Sequence, residues 1–161
     1  MGEGFCKESI SLCSKSPAHF ISKNFEFAFG QHSGVIDLNK DRYELPRFPI
    51  NEKYGEIKRF KEVISYLPLQ YKIIKPENKF MNDGENPPKM TIEFFKDQKN
   101  LENINCFSNE GSKWRKTKIV LVDNILNINF VDKFIERRGR INCSLKDENG
   151  WRFSGFQFVQ N

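Results

Sequence analysis

The sequence predicts an α+β fold that is mostly β: an antiparallel curved sheet or partly closed barrel with one principal helix at about 51–67. Three observations carry this. Residues 89–159 hold six apolar-rich runs separated by short turn-forming clusters, the pattern of strands joined by tight turns. Only one segment repeats its apolar residues at three- and four-residue spacing, which lines one face of a helix. The 161 residues contain no repeat or heptad, so they fit a single domain, 1–161. Its first twenty residues are expected to be irregular.

The elements follow in order. In Ser22–Phe29, Phe25, Phe27 and Phe29 alternate with Asn24, Glu26 and Ala28, which predicts a half-buried strand. Gly30–Gly34 then reads as a turn and Val35–Leu38 as a short returning strand. Pro46 and Pro49 make residues 42–50 extended and irregular. Tyr54, Ile57, Phe60, Val63, Ile64 and Leu67 form the helical stripe, with Lys58, Arg59, Lys61 and Glu62 opposite. Asn51 is the expected N-cap and Pro68 the stop. Gln70–Lys75 is strand-like, and Pro76–Pro88 reads as an exposed loop from its Pro, Gly, Asn and Asp content. It is the longest candidate for a mobile or functional segment.

The remaining strands are expected at Lys89–Lys96, Ile104–Ser108, Trp114–Val122, Ile125–Val131, Phe134–Leu145 and Trp151–Val159. Asp123-Asn124 permits a tight hairpin, and Asn149-Gly150 is a strong hairpin pair. Short turns between successive strands imply an antiparallel meander. The helix should cover an open face or plug one end.

Composition excludes several classes. No 18-residue apolar run exists, so no transmembrane helix is expected. Twenty-two aromatic residues and fifteen Ile supply a core, which argues against disorder. The net charge is +5, but Lys, Asn, Phe and Ile all have A/T-rich codons and Ala occurs only at Ala18 and Ala28. Codon bias therefore accounts for much of the basicity. The two halves carry similar positive charge, without the basic block of a nucleic-acid arm.

The cysteines are Cys6, Cys13, Cys106 and Cys143. None forms C-x-x-C and no His lies at zinc-finger spacing, so neither metal nor cofactor is expected. Three disulfide connectivities are possible. The favoured pairing is Cys6–Cys13, which is local, with Cys106–Cys143, which joins two strand-like segments; four reduced thiols are the alternative. Bridges would imply an oxidising compartment. The first twenty residues lack the apolar core of a signal peptide. A periplasmic or secreted location thus requires a leader outside this sequence, and a cytoplasmic one is the alternative.

Chemistry has few footholds. His19 and His32 are the only histidines, and each is explained by turn or loop context as well as by proton transfer. Phosphate-loop, zinc-protease, nucleophile-elbow and dinucleotide motifs are all absent. The most suggestive group is basic and aromatic: Trp114, Arg115, Lys116 and Lys118, then Arg137, Arg138 and Arg140, then Trp151 and Arg152. If neighbouring strands gather them, the surface suits a protein partner, since Trp and Arg dominate interface hot spots. It also suits phosphate neutralisation with base stacking, or simply Trp packed inward with cations guarding strand edges. The leading expectation is a non-enzymatic protein-binding module, an inhibitor or immunity-type protein that occludes a toxin or enzyme. Alternatives are a nucleic-acid-binding protein or small RNase-like toxin using His19 or His32, and a lipocalin-like carrier of an apolar ligand.

Overall fold

The computed structural model describes residues 17–111 and 113–160. The alternating runs of the second half form two sheets that share one core. The first sheet has the order β1 (Leu67–Pro68), β10 (Gly150–Gln160), β9 (Arg138–Asp147), β5 (Asn105–Asn109), β6 (Trp114–Lys116), with β3 (Phe80–Met81) also against β10. The second has the order β2 (Tyr71–Lys75), β4 (Lys89–Phe94), β8 (Ile125–Asn129), β7 (Lys118–Val122). The fold is α+β and mostly β. It is a two-sheet arrangement rather than a barrel, and β1 and β3 run parallel to β10, so the connection is not a simple meander.

Period-two alternation decides which residues meet between the sheets. Met90, Ile92 and Phe94 of β4 and Leu126 and Ile128 of β8 face Cys106, Ile141, Cys143, Leu145 and Phe158 from the first sheet in one buried cluster. Phe130, Phe134 and Phe158 fill its centre, with ring centroids 5.2–5.5 Å apart. A carrier's ligand would have to occupy that same space. Tyr71 ties the layers together through a 2.9 Å hydrogen bond between its hydroxyl and Ser154 Oγ.

The disulfide Cys106–Cys143 lies inside this core, between register partners on adjacent strands β5 and β9. It is an intrasheet bridge. Cys6 and Cys13 lie outside the described residues. Both hairpin expectations hold: Asp123 adopts φ 53° between β7 and β8, and Gly150 takes φ 132° as β10 begins. Only glycine enters that second region freely.

Several expectations need correction. The run Trp114–Val122 is not one strand, because Thr117 breaks it into β6 in one sheet and β7 in the other. Thr117 is buried, and both its N–H and its Oγ1 donate to the Cys106 carbonyl, at 3.0 and 3.1 Å. That pins the crossover. Phe134–Arg137 precede β9 rather than joining it, with the Phe134 backbone held in both directions by the Asn86 side chain. The loop Pro76–Pro88 is consequently strapped down. It contains β3, with Met81 buried, and a 3-10 turn at Asp83–Glu85.

The N-terminal part departs most. Pro17–Asn24 is a helix, α1, where irregular chain and then a strand were expected; proline at a first helical position fits its fixed φ and missing N–H. Phe25, Phe27 and Phe29 are all exposed, and the segment's β pairing is one isolated bridge, Phe29 to Leu45, flanked by backbone hydrogen bonds from Ala28 to Arg42 and from Leu45 to Ala28. Alternation needs a neighbouring strand to become a sheet, and none is supplied here. Val35–Leu38 is likewise not a strand.

The principal helix, α2, spans Ile57–Ile64, shorter than the expected 51–67. Asn51 does cap, with Oδ1 accepting from the N–H groups of Lys53 and Tyr54, but it caps a separate turn that ends at Gly55. Glu56 is the residue at the helix start, without a side-chain bond. The helix neither plugs nor covers the core, for none of its residues is buried.

Candidate functional site

The inner faces being packed, the site has to lie outside. Register assigns Phe107 and Asn109 of β5, Trp114 and Lys116 of β6, and Arg138 and Arg140 of β9 to the outer face of the first sheet, opposite in direction to Cys106, Ser108, Ile141 and Cys143. The N-terminal segment covers only part of that face. Gly34 bridges Ser154, Phe48 packs on Phe153 at 5.1 Å, and a Cβ on Gly155 would stand 2.2 Å from the Ser33 carbonyl. Gln157 and Val159 of β10 are buried as a result. The cover ends at Gln31, whose Oε1 accepts from Arg138 Nη1. Beyond it the face is open.

On the open part, Trp114 stands opposite Asn109 and Asn109 opposite Arg140, one row across three strands. Neighbouring strands are about 4.8 Å apart, so the Trp114 and Arg140 backbones are roughly 10 Å apart. Trp114 is 43 % exposed and Phe107 is 42 %. Beside them, Asn109, Gly111, Glu136, Arg137, Arg138 and Arg140 line a cleft of about 440 Å³.

The structure therefore brings together Trp114, Lys116, Arg137, Arg138 and Arg140 of the expected group. It does not bring the others. Trp151 is 46 % exposed and shares the outer face, but it pairs with Lys146, six residues along β9 from Arg140. That separation is roughly 20 Å at the rise of a strand. Arg115 and Arg152 point the other way and are neutralised. Arg115 pairs with Asp132 and with the buried Glu110, whose Oε1 accepts from Ser108 Oγ at 2.6 Å. Arg152 pairs with Asp147 and donates to the Pro68 carbonyl; the Arg152 bond, helped by the backbone N–H groups of Asn149 and Gly150, holds the Asp147 carboxyl below the usual carboxylate range. Lys118 begins β7, in the second sheet.

Phe107, Asn109, Gly111 and Glu136 were missed by residue-type reasoning. One sequence feature pointed to Phe107: if Cys106 faces the core to meet Cys143, alternation turns Phe107 outward.

His32 does not line the arginine cleft. His19 lies in α1. His32 belongs to the covering segment, with Nδ1 buried and without a hydrogen-bond partner. Burial holds its imidazole below the ordinary range; Glu44 opposes the shift, while Lys40 and Lys79 add to it. Folded protein thus binds this proton less readily than unfolded chain, so stability should fall as pH drops below about 6.5, the unfolded value. His32→Gln is expected to flatten the urea midpoint between pH 7.5 and 5.5; a midpoint with the native slope in that variant would refute the assignment. Among the described residues, no group of three or more His, Cys, Asp or Glu side chains is placed to hold a metal ion.

No helix among the described residues is long and apolar enough to cross a membrane. No family model and no curated protein matches the chain. Among solved structures it is similar to the M1 domain from titin, with a TM-score of 0.34 and 12 % identity, over 51 % of this chain and 84 % of that one.

Proposed function

We propose that the protein is a non-enzymatic binding module that docks a protein partner on the open outer face of its first sheet, acting by occlusion as an inhibitor or immunity-type protein. The observation that carries this is Trp114 standing exposed in one cross-strand row with the uncompensated Arg140, with exposed Phe107 in the next outward row. Exposed aromatic surface beside arginine is the composition of interface hot spots. Ten cross-strand residue pairs between β9 and β10 and the core bridge behind them make the platform stiff, so little ordering entropy is lost on docking. The buried disulfide favours an oxidising compartment, periplasmic or extracellular, as the place of work.

The test begins with the partner that co-purifies with native protein. Trp114→Ala should weaken its binding by about 2 kcal/mol or more, while the urea midpoint stays close to native. Trp151→Ala, on the distant part of the face, should leave affinity unchanged. Equal binding by the Trp114→Ala protein would remove this face from the reading.

A further inference from the structure

The arginine cleft specifies the chemistry of the partner. We propose that it seats the carboxylates of an acidic, extended peptide segment of the docked protein, with an apolar or aromatic side chain of that segment on Trp114 and Phe107. This rests on the reading of the outer face as a docking surface.

Charge is the first argument. Three guanidinium groups, Arg137, Arg138 and Arg140, share a cleft with a single carboxylate, Glu136. On the opposite face of the same sheet the arginines are matched: Arg115 has Glu110 and Asp132, and Arg152 has Asp147. In the cleft they are not. Arg137 and Arg140 make no side-chain hydrogen bond or ion pair among the described residues, and Arg138 donates only to a neutral amide oxygen, that of Gln31. Like charges held within one turn of chain repel one another, and an oxyanion relieves that repulsion. The planar fork of arginine binds such a group through two parallel N–H···O bonds.

The mixed lining is the second argument, and it selects peptide over polyphosphate. The Asn109 Oδ1 is already occupied by the Gly111 N–H at 2.8 Å, which leaves its amide to donate. Glu136 offers acceptors. A peptide backbone brings both N–H and C=O and can satisfy donors and acceptors together. A phosphate chain brings acceptors only, and its charge would meet the Glu136 carboxylate. The cleft volume of about 440 Å³ falls within the range of roughly 300–1,000 Å³ typical of ligand sites. Next to the cleft, β6 is the last strand of its sheet, so one backbone edge remains for an extended segment to pair with.

The experiment is a fluorescence-anisotropy titration of the whole protein at about 50 mM salt, where charge contacts are weakly screened. Two labelled, capped pentapeptides serve as probes: one of two aspartates, a central tyrosine and two glutamates, the other its asparagine and glutamine counterpart. The acidic peptide is expected to bind about tenfold more tightly than the amide one, since each desolvated charge-assisted pair is worth a factor of that order. Arg137→Gln with Arg140→Gln should erase the difference with the urea midpoint unchanged, both side chains being exposed. Trp151→Ala should keep it.

Equal affinities for the two peptides, or no binding of either, would overturn the carboxylate seat. The docking face itself would still be judged by Trp114→Ala against the native partner. A labelled thymidine octamer binding more tightly than the acidic peptide would also overturn the proposal, in favour of nucleic acid. So would displacement of the peptide by inorganic phosphate beyond that of chloride at equal ionic strength, which would mark a phosphate site.

Discussion

Replacing Cys106 and Cys143 together by alanine is expected to lower the unfolding free energy by about 4 kcal/mol. The bridge joins residues 37 apart in sequence, and in the chain-entropy model closing a loop of that length takes about 4 kcal/mol from the unfolded state. Cys106 is fully buried and Cys143 nearly so, so the vacated sulfur positions add a cavity cost rather than offset the loss. Domains are commonly stable by only about 5–15 kcal/mol. The bridge is thus a large share of the total. The double variant is a cleaner probe than reductant, because it leaves Cys6 and Cys13 untouched. Urea unfolding of the two proteins measures the difference. A midpoint shifted by less than the equivalent of about 1 kcal/mol would mean that the unfolded chain gains little freedom when the link is cut.

That bridge was legible in the sequence because Cys106 and Cys143 both lie in strand-like segments. Apolar runs bounded by turn residues found most strands of the second half, where each run has a neighbour to pair with. Alternation misled in Ser22–Phe29, whose pattern is regular but whose chain folds into α1 and then coil beside no strand. It could not see the switch at Thr117 either. The Cys106 carbonyl that captures the Thr117 side chain is eleven residues away in sequence, and only the sheet geometry brings the two together. At Asn51 the capping chemistry was read correctly and its object was not, because Gly55 ends the turn before the helix starts.

The site was half legible for a related reason. Residue type identified the cations and the tryptophans, and the structure exposes both tryptophans. Which cations stay unneutralised depends on contacts far off in sequence: Arg115 meets the Asp132 carboxylate, whereas Arg138 meets only the neutral Gln31 amide. Distance along the strands is equally hidden. Trp151 and Arg140 belong to paired strands, yet the hairpin at 148–149 fixes a register that holds them six residue steps apart. A list of residue types has no coordinate for that.

Phe158→Ala is expected to destabilise the protein by about 3–5 kcal/mol. Phe158 is completely buried, and its ring centroid lies 5.3 Å from that of Phe130, 5.5 Å from Phe134 and 4.9 Å from Phe156. Truncation removes the transfer free energy of a phenyl ring and three aromatic contacts, and it leaves a hole. The neighbours cannot close that hole cheaply. Phe134 is anchored through its backbone to the Asn86 side chain at both N–H and C=O, and Phe156 lies on the same strand as Phe158 with its backbone fixed by the β9 register. Such a site falls toward the upper part of the range, because relaxation is what lowers the cost. Urea unfolding monitored by far-UV circular dichroism would read it directly. Trp114→Ala provides the opposite case on the same sheet: near-native stability with lost binding, against lost stability with any surviving folded fraction still able to bind. A Phe158→Ala loss below about 1 kcal/mol would mean that the aromatic cluster repacks freely. The rigid platform invoked for docking would then lose its physical basis.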